Sequence, residues 1–248
     1  MKIFLNSIAS KFEQGFAMLQ GKGRGATSVR SEVKSVARVL KNGIHLAVDI
    51  GANKGSYSAH LRKIAPKAEI HAFEPSAENI NVIESLFEGD QNFHLKKLAV
   101  SNSSGSATLY SDYAGSGLAS LTKRNLDHLC IDFNFVEEVQ KIRFEDYWIS
   151  VLGSRTIDLL KLDIEGHEMD ALAGCGFAVT HSRVIQFEFG GCNIDTRTFF
   201  FDFWIFFADR NFRLYRISPF GLVAILDYRE IDEFFITTNY LAVNLALI

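Results

Sequence analysis

The feature that most constrains this chain is a rhythm that begins at Ile44. IHLAVDI is an apolar run without polar alternation, as a strand covered on both faces requires. KGSYSAHLRKIA follows with helical spacing, then the run AEIHAFEP, the helix SAENINVIESLFE with Ser76 as its expected N-cap, and the strand NFHLKKLAV. This βαβαβ order predicts a Rossmann-like, doubly wound α/β sheet. Farther on, SGSATLYSD reads as a small extra strand and YAGSGLASL as a loop. EEVQKIRFEDYWISVL reads as a strand and a helix, and TIDLLKLDIEGHE as a strand and turn before the short helix MDALAGC. RVIQFEFG, NFRLYRIS and FFITTNYLAVNL complete the strands.

Residues 1–41 read as an N-terminal helical extension and 42–248 as the α/β domain. Within the extension, Ile3, Phe4, Ile8, Phe12, Phe16 and Leu19 make an amphipathic stripe ahead of a GKGRG breaker, suited to covering the domain or to forming a lid or dimer arm. Seven of the 22 phenylalanines lie between Phe199 and Phe212, which predicts a core helix on the sheet; the sharper alternative is an aromatic pocket wall or a homo-oligomer surface. A net charge of −3 supplies no field to gather nucleic acid. The three cysteines form no C-x-x-C pair or disulfide framework, no apolar run is long enough to span a membrane, and the first 25 residues lack a signal-peptide core. The expected location is therefore cytoplasmic.

In open α/β sheets, ligands bind outside the carboxyl ends of the strands. The first such end reads DIGANKG. Gly51 allows a sharp turn, Asn53 tolerates left-handed backbone, and Gly55 opens a helix whose N-terminus favours negative charge. Asn53 stands where the dinucleotide fingerprint G-x-G-x-x-G has its second glycine, so a pyrophosphate is not cradled in the usual way. Asp49 beside the turn suits a cationic ligand. Glu74 follows roughly 20 residues past Gly55, the spacing of an acid that binds ribose hydroxyls. These features favour S-adenosyl-L-methionine over a dinucleotide.

DIGANKGSYS, AFEP, LAVSNSSGSATLY, TIDLLKLDIEGHE and VIQFEF, in that order, resemble the FkbM-type class I S-adenosylmethionine-dependent methyltransferases, from about Ile44 to Leu245. The resemblance implies a seven-stranded, mostly parallel sheet with the last strand antiparallel. It implies that Asp49, Gly51, Asn53 and Gly55 line the methionine moiety, that Glu74 with Pro75 holds the ribose, and that Ala99, Val100 and Ser101 hold adenine. It also implies O-methylation of a hydroxyl on a small-molecule or glycan acceptor.

Methyl transfer rests on positioning, and a general base adds typically 10²- to 10⁴-fold. In LDIEGHE, His167 titrates nearest neutrality and is the expected base, with Asp163 facing the cofactor or orienting the base. Glu188 is a second base or an acceptor-hydroxyl ligand. Glu165 and Glu168 suit either the site or a helix N-terminus. Asp163, Glu165, His167, Glu168 and Glu188 would together suit Mg²⁺, but the reading assigns no metal. The competing readings are a nicotinamide-dependent oxidoreductase, opposed by the missing glycine, and a non-catalytic S-adenosylmethionine-binding module.

Overall fold

The computed structural model describes residues 2–23 and 28–248, with side chains from Ala9 onward. The side chains of Ile3, Phe4 and Ile8, and the Arg24–Gly25 part of the breaker, lie outside the described residues. Two helices open the chain, α1 (Lys2–Leu19) and α2 (Val29–Val39). Phe12, Phe16 and Leu19 of α1 are exposed. Ser28 caps α2 by accepting the Ser31 N–H, and Val33 and Val36 join the core with Tyr57 and Leu61.

The α/β rhythm follows as expected: β1 (Leu46–Ile50), α3 (Ser56–Ile64), β2 (Glu69–Phe73), α4 (Ala77–Leu86) and β3 (Phe93–Lys96). Ser76 stands at the start of α4, but its hydroxyl donates to Glu137 instead of capping the helix, and Glu137 accepts the Ala77 N–H in its place. The run NFHLKKLAV is not one strand. It breaks at Lys97–Leu98, and β4 (Ala99–Val100) leaves the main sheet to pair with β6 (Phe135–Ile142), which also pairs with β5 (Gly105–Ser111). The apolar LAV looked like a continuation because burial is all that the sequence records. The Ser101 N–H is instead bonded to the Ile142 carbonyl, which draws this segment into the second sheet.

The second half runs α5 (Phe144–Ser150), β7 (Ile157–Leu162), α6 (Glu168–Cys175), β8 (Ser182–Phe189), α7 (Cys192–Thr196), α8 (Phe200–Ala208), β9 (Phe212–Ser218), β10 (Gly221–Ile225) and β11 (Thr238–Asn244). The main sheet has the order β10-β9-β11-β8-β7-β1-β2-β3. Strands β3 to β8 in this sheet are mutually parallel where they pair, and β11 runs antiparallel between β8 and β9. Seven of these strands make the expected sheet. The eighth, β10, is added at the edge by a tight hairpin in which Ser218 Oγ donates to the Gly221 carbonyl.

Every residue of β1 and β7 is buried, which is why both read as unbroken apolar runs. The Phe-rich helix α8 lies on the sheet. Phe200, Phe203 and Phe207 are fully buried, and Phe203 stacks on Phe187 with ring centroids 4.7 Å apart. Each buried Phe contributes about 1.5–3 kcal/mol. Phe199 and Phe201 stay about half exposed, so the helix is a core element with an aromatic outer face. Among the described residues, no helix is long and apolar enough to cross a membrane.

Candidate active site

Strand order reverses between β1 and β7, and a cavity of about 610 Å³ opens at the carboxyl ends of the strands there. That volume falls within the usual range for small-molecule sites. Gly51, Asn53, Glu74, Pro75, Ala99, Val100, Asp163, His167 and Glu188 all line it. Asp49, Gly55 and Ser101 stand outside the lining.

The turn after β1 is built tightly. Gly51 has φ 78°, and a Cβ there would lie 2.0 Å from the Asp163 carbonyl oxygen. The glycine is therefore demanded by the approach of the β7 end. Asn53 adopts φ 48°, the left-handed backbone its side chain tolerates. Gly55 takes φ 76° and begins α3.

Asp49 does not offer its charge to the cavity. Its Oδ1 lies 3.0 Å from Lys161 Nζ and its Oδ2 accepts from Ser58 Oγ, all of them buried. Lys161 also donates to the Gly51 carbonyl and lies 3.5 Å from Asp163 Oδ2. Burial opposes the lysine charge, but Asp49 and Asp163 together hold its pKa above the ordinary range. The acid that seemed suited to a cationic ligand thus braces the turn from behind.

Glu74 joins two turns. Its Oε2 accepts the Asn53 N–H at 2.8 Å, and its Oε1 accepts the Ser76 N–H at 3.0 Å and the Asn79 side-chain amide at 3.3 Å. Burial pushes its pKa up to about 7 against these hydrogen bonds. Nearby, the amide oxygens of Asn53 and Asn79, two further lining residues, are buried and have no hydrogen-bond partner among the described residues.

The opposite end is acidic. Glu165, at φ 53°, pairs with Arg124 at 2.9 Å, and Arg124 also holds Asp195 at 3.1 Å. Burial, then Asp163, pushes the Glu165 pKa up to about 8. Glu168 is fully buried and accepts the Ile164 and Gly166 N–H groups, so it serves the turn before α6. Glu188 faces the cavity at 7% exposure, its carboxylate without a hydrogen bond among the described residues; burial, with Asp163 next, raises its pKa well above the carboxylate range. His167 precedes α6 with its Nδ1 3.2 Å from Asp170 Oδ2 and its Nε2 2.7 Å from Thr122 Oγ1.

The carboxylates of Glu165 and Glu188 and the Cys192 thiol bring ligand atoms within 4.8 Å of one another. Burial pushes the Cys192 thiol far up, which opposes the thiolate that a metal needs, and Arg124 already holds Glu165. Sequence reasoning did not single out Asn79, Arg124, Cys192 or the segment Ser116–Leu121 as part of the site, although all line it. The Gly/Ser-rich composition of that segment marked a loop; nothing local placed it over the cavity.

A family model for the Methyltransferase FkbM domain matches residues 49–214. The chain is 28% identical over 179 residues to the 2-O-methyltransferase NoeI of Sinorhizobium fredii, covering 67% of this chain and 72% of that protein. It is 24% identical over 141 residues to Methyltransferase 1 of Beauveria bassiana, covering 51% and 57%. Among solved structures it resembles the precorrin-6y C5,15-methyltransferase of Geobacter metallireducens, with a TM-score of 0.45, 9% identity and 85% of each chain covered.

Proposed function

The chain belongs to the FkbM methyltransferase family, and from that premise we propose that it is an S-adenosylmethionine-dependent O-methyltransferase acting on a hydroxyl of a sugar or other small natural-product-like acceptor. The observation that carries the cofactor is the acid at the end of β2. Glu74, on the cavity wall, keeps acceptor capacity beside its three hydrogen bonds for the hydroxyl donors of a ribose. Pro75, Ala99 and Val100 supply the apolar lining beside them, and Asp163 stands across the turn. Asn53 stands in place of the second glycine of the dinucleotide fingerprint, which weighs against a dinucleotide.

The bound cofactor supplies a methyl group already activated by its sulfonium. The chain's own part is to hold the acceptor and take its proton. With Nδ1–H donated to Asp170, His167 Nε2 is the basic nitrogen, and the Thr122 hydroxyl donates to it. His167 is the base in this reading, reached directly or through Thr122, and Glu188 binds an acceptor hydroxyl. The resemblance to a 2-O-methyltransferase supports oxygen as the methylated atom.

Calorimetry with S-adenosylmethionine, S-adenosylhomocysteine and NAD tests the cofactor: the first two should bind, and failure of both ends the reading. Incubating the protein with a metabolite pool and isotopically labelled methyl donor, followed by mass spectrometry, identifies the acceptor. Label on nitrogen or carbon would overturn O-methylation.

A further inference from the structure

At the other end of β2 from the cavity, three metal-binding side chains meet. Glu69 begins β2, and His71 follows on the same face. In the parallel pairing of β2 with β3, His71 is directly opposite His94. Their rings lie side by side, with centroids 4.6 Å apart. His71 Nε2 is 2.8 Å from Glu69 Oε1, His94 Nε2 is 4.0 Å from the same oxygen, and the three ligand atoms all lie within 4.8 Å of one another. None of the three residues lines the methyltransferase cavity.

We propose that Glu69, His71 and His94 form a binding site for a divalent transition-metal ion of the zinc type, separate from the methyltransferase cavity. Two imidazoles and a carboxylate suit such an ion, and three protein ligands leave a fourth position to water. With metal–ligand bonds of about 2.0–2.1 Å, ligand atoms in a tetrahedral site lie roughly 3.3 Å apart. The pair His71–Glu69 is already that close, and His94, whose side chain is 38% exposed, has the freedom to turn inward.

The surrounding contacts orient the ligands. The Tyr147 hydroxyl lies 2.7 Å from His71 Nδ1. Without an ion, Nε2–H donates to Glu69 Oε1 and Nδ1 accepts the Tyr147 proton; ligation would move the ring proton to Nδ1, with the Tyr147 oxygen as its acceptor, the usual second group behind a metal-bound imidazole. Arg155 Nη2 lies 2.9 Å from Glu69 Oε2 and donates to Oε1 at 3.0 Å, which fixes the carboxylate and means that an ion would share Oε1 with this arginine. Arg155 also places a positive charge beside the site, so the affinity should be moderate. The ion would tie β3, at the sheet edge, to β2.

The test is zinc titration of the untagged, chelator-treated full chain by calorimetry. Expected are one Zn²⁺ per chain, a raised Tm, and a loss of affinity of about tenfold or more in His94→Ala. His94→Gln keeps the bulk and serves if the alanine variant unfolds. Cys192→Ala should bind as the parent does. No zinc binding in the parent, unchanged affinity in both His94 variants, or loss of binding in Cys192→Ala would each overturn the proposal.

Discussion

The two ends of the cavity hold their charges differently. At the ends of β1 and β2, the buried carboxylates are committed: Asp49 is paired with Lys161 and Ser58, and Glu74 accepts two backbone N–H groups and one amide. At the ends of β7 and β8, the Glu188 carboxylate has no hydrogen-bond partner among the described residues, and it shares the space with Asp163 and Glu165. The first end uses charge to fix backbone. The second keeps a buried acid available. Committed carboxylates suit a fixed scaffold, and an unpaired buried acid suits the acceptor binding proposed above.

The largest effect should come from breaking the committed end. Lys161→Met leaves Asp49 buried without its ion-pair partner, which should cost about 3–5 kcal/mol of stability by urea denaturation. A loss below about 1 kcal/mol would mean that Asp49 is not held as described. Next in size are the residues proposed to bind the acceptor and take its proton. His167→Ala should lower turnover by roughly 10²-fold or more while cofactor affinity stays nearly constant. Glu188→Gln should cost about tenfold, the size of one lost hydrogen bond. If the order of these two losses is reversed, Glu188 is the base. Glu74→Ala should weaken S-adenosylmethionine binding by about 1.5–3 kcal/mol in calorimetry. An unchanged dissociation constant would remove the ribose contact.

The smallest effect is spread over pH. Burial holds Glu74 and Glu168 at about 7 in the folded chain, above the ordinary carboxylate value of 4.5. Between those values the folded state carries protons that the unfolded state has released. Stability from these groups is therefore present at low pH and is lost as pH rises from about 4.5 through 7. Thermal melts should give a higher Tm near pH 5 than near pH 8, and Glu168→Gln should flatten that slope. A Tm that climbs from pH 5 to 8 would contradict the assigned burial.

Much of the frame was legible. Unbroken apolar runs marked β1 and β7, and DIGANKG marked the turn at the ligand end, down to left-handed backbone at Asn53. The edge strand β10 escaped because GLVAI is short and half exposed, and a hairpin register, with no run of its own, is what makes it a strand. The lining of the cavity was legible where strand ends supply it, at Glu74, Asp163 and Glu188. Arg124 and the loop Ser116–Leu121 were not, since neither has a periodic pattern and both reach the cavity by folding back from the second sheet region.

The sequence by itself determined the alternation of strand and helix, and with it the parallel sheet and the end where the cavity opens. These follow from local averages of hydrophobicity and from glycine and asparagine backbone preferences, which act within a few residues. Only the tertiary structure decided which charges meet. Asp49 and Lys161 are far apart in the chain and 3.0 Å apart in the fold, and His71 finds His94 only through the register of two strands. Ion pairing and ligation depend on distances of a few ångströms and on what else is buried nearby, and neither quantity is written in any local stretch of residues.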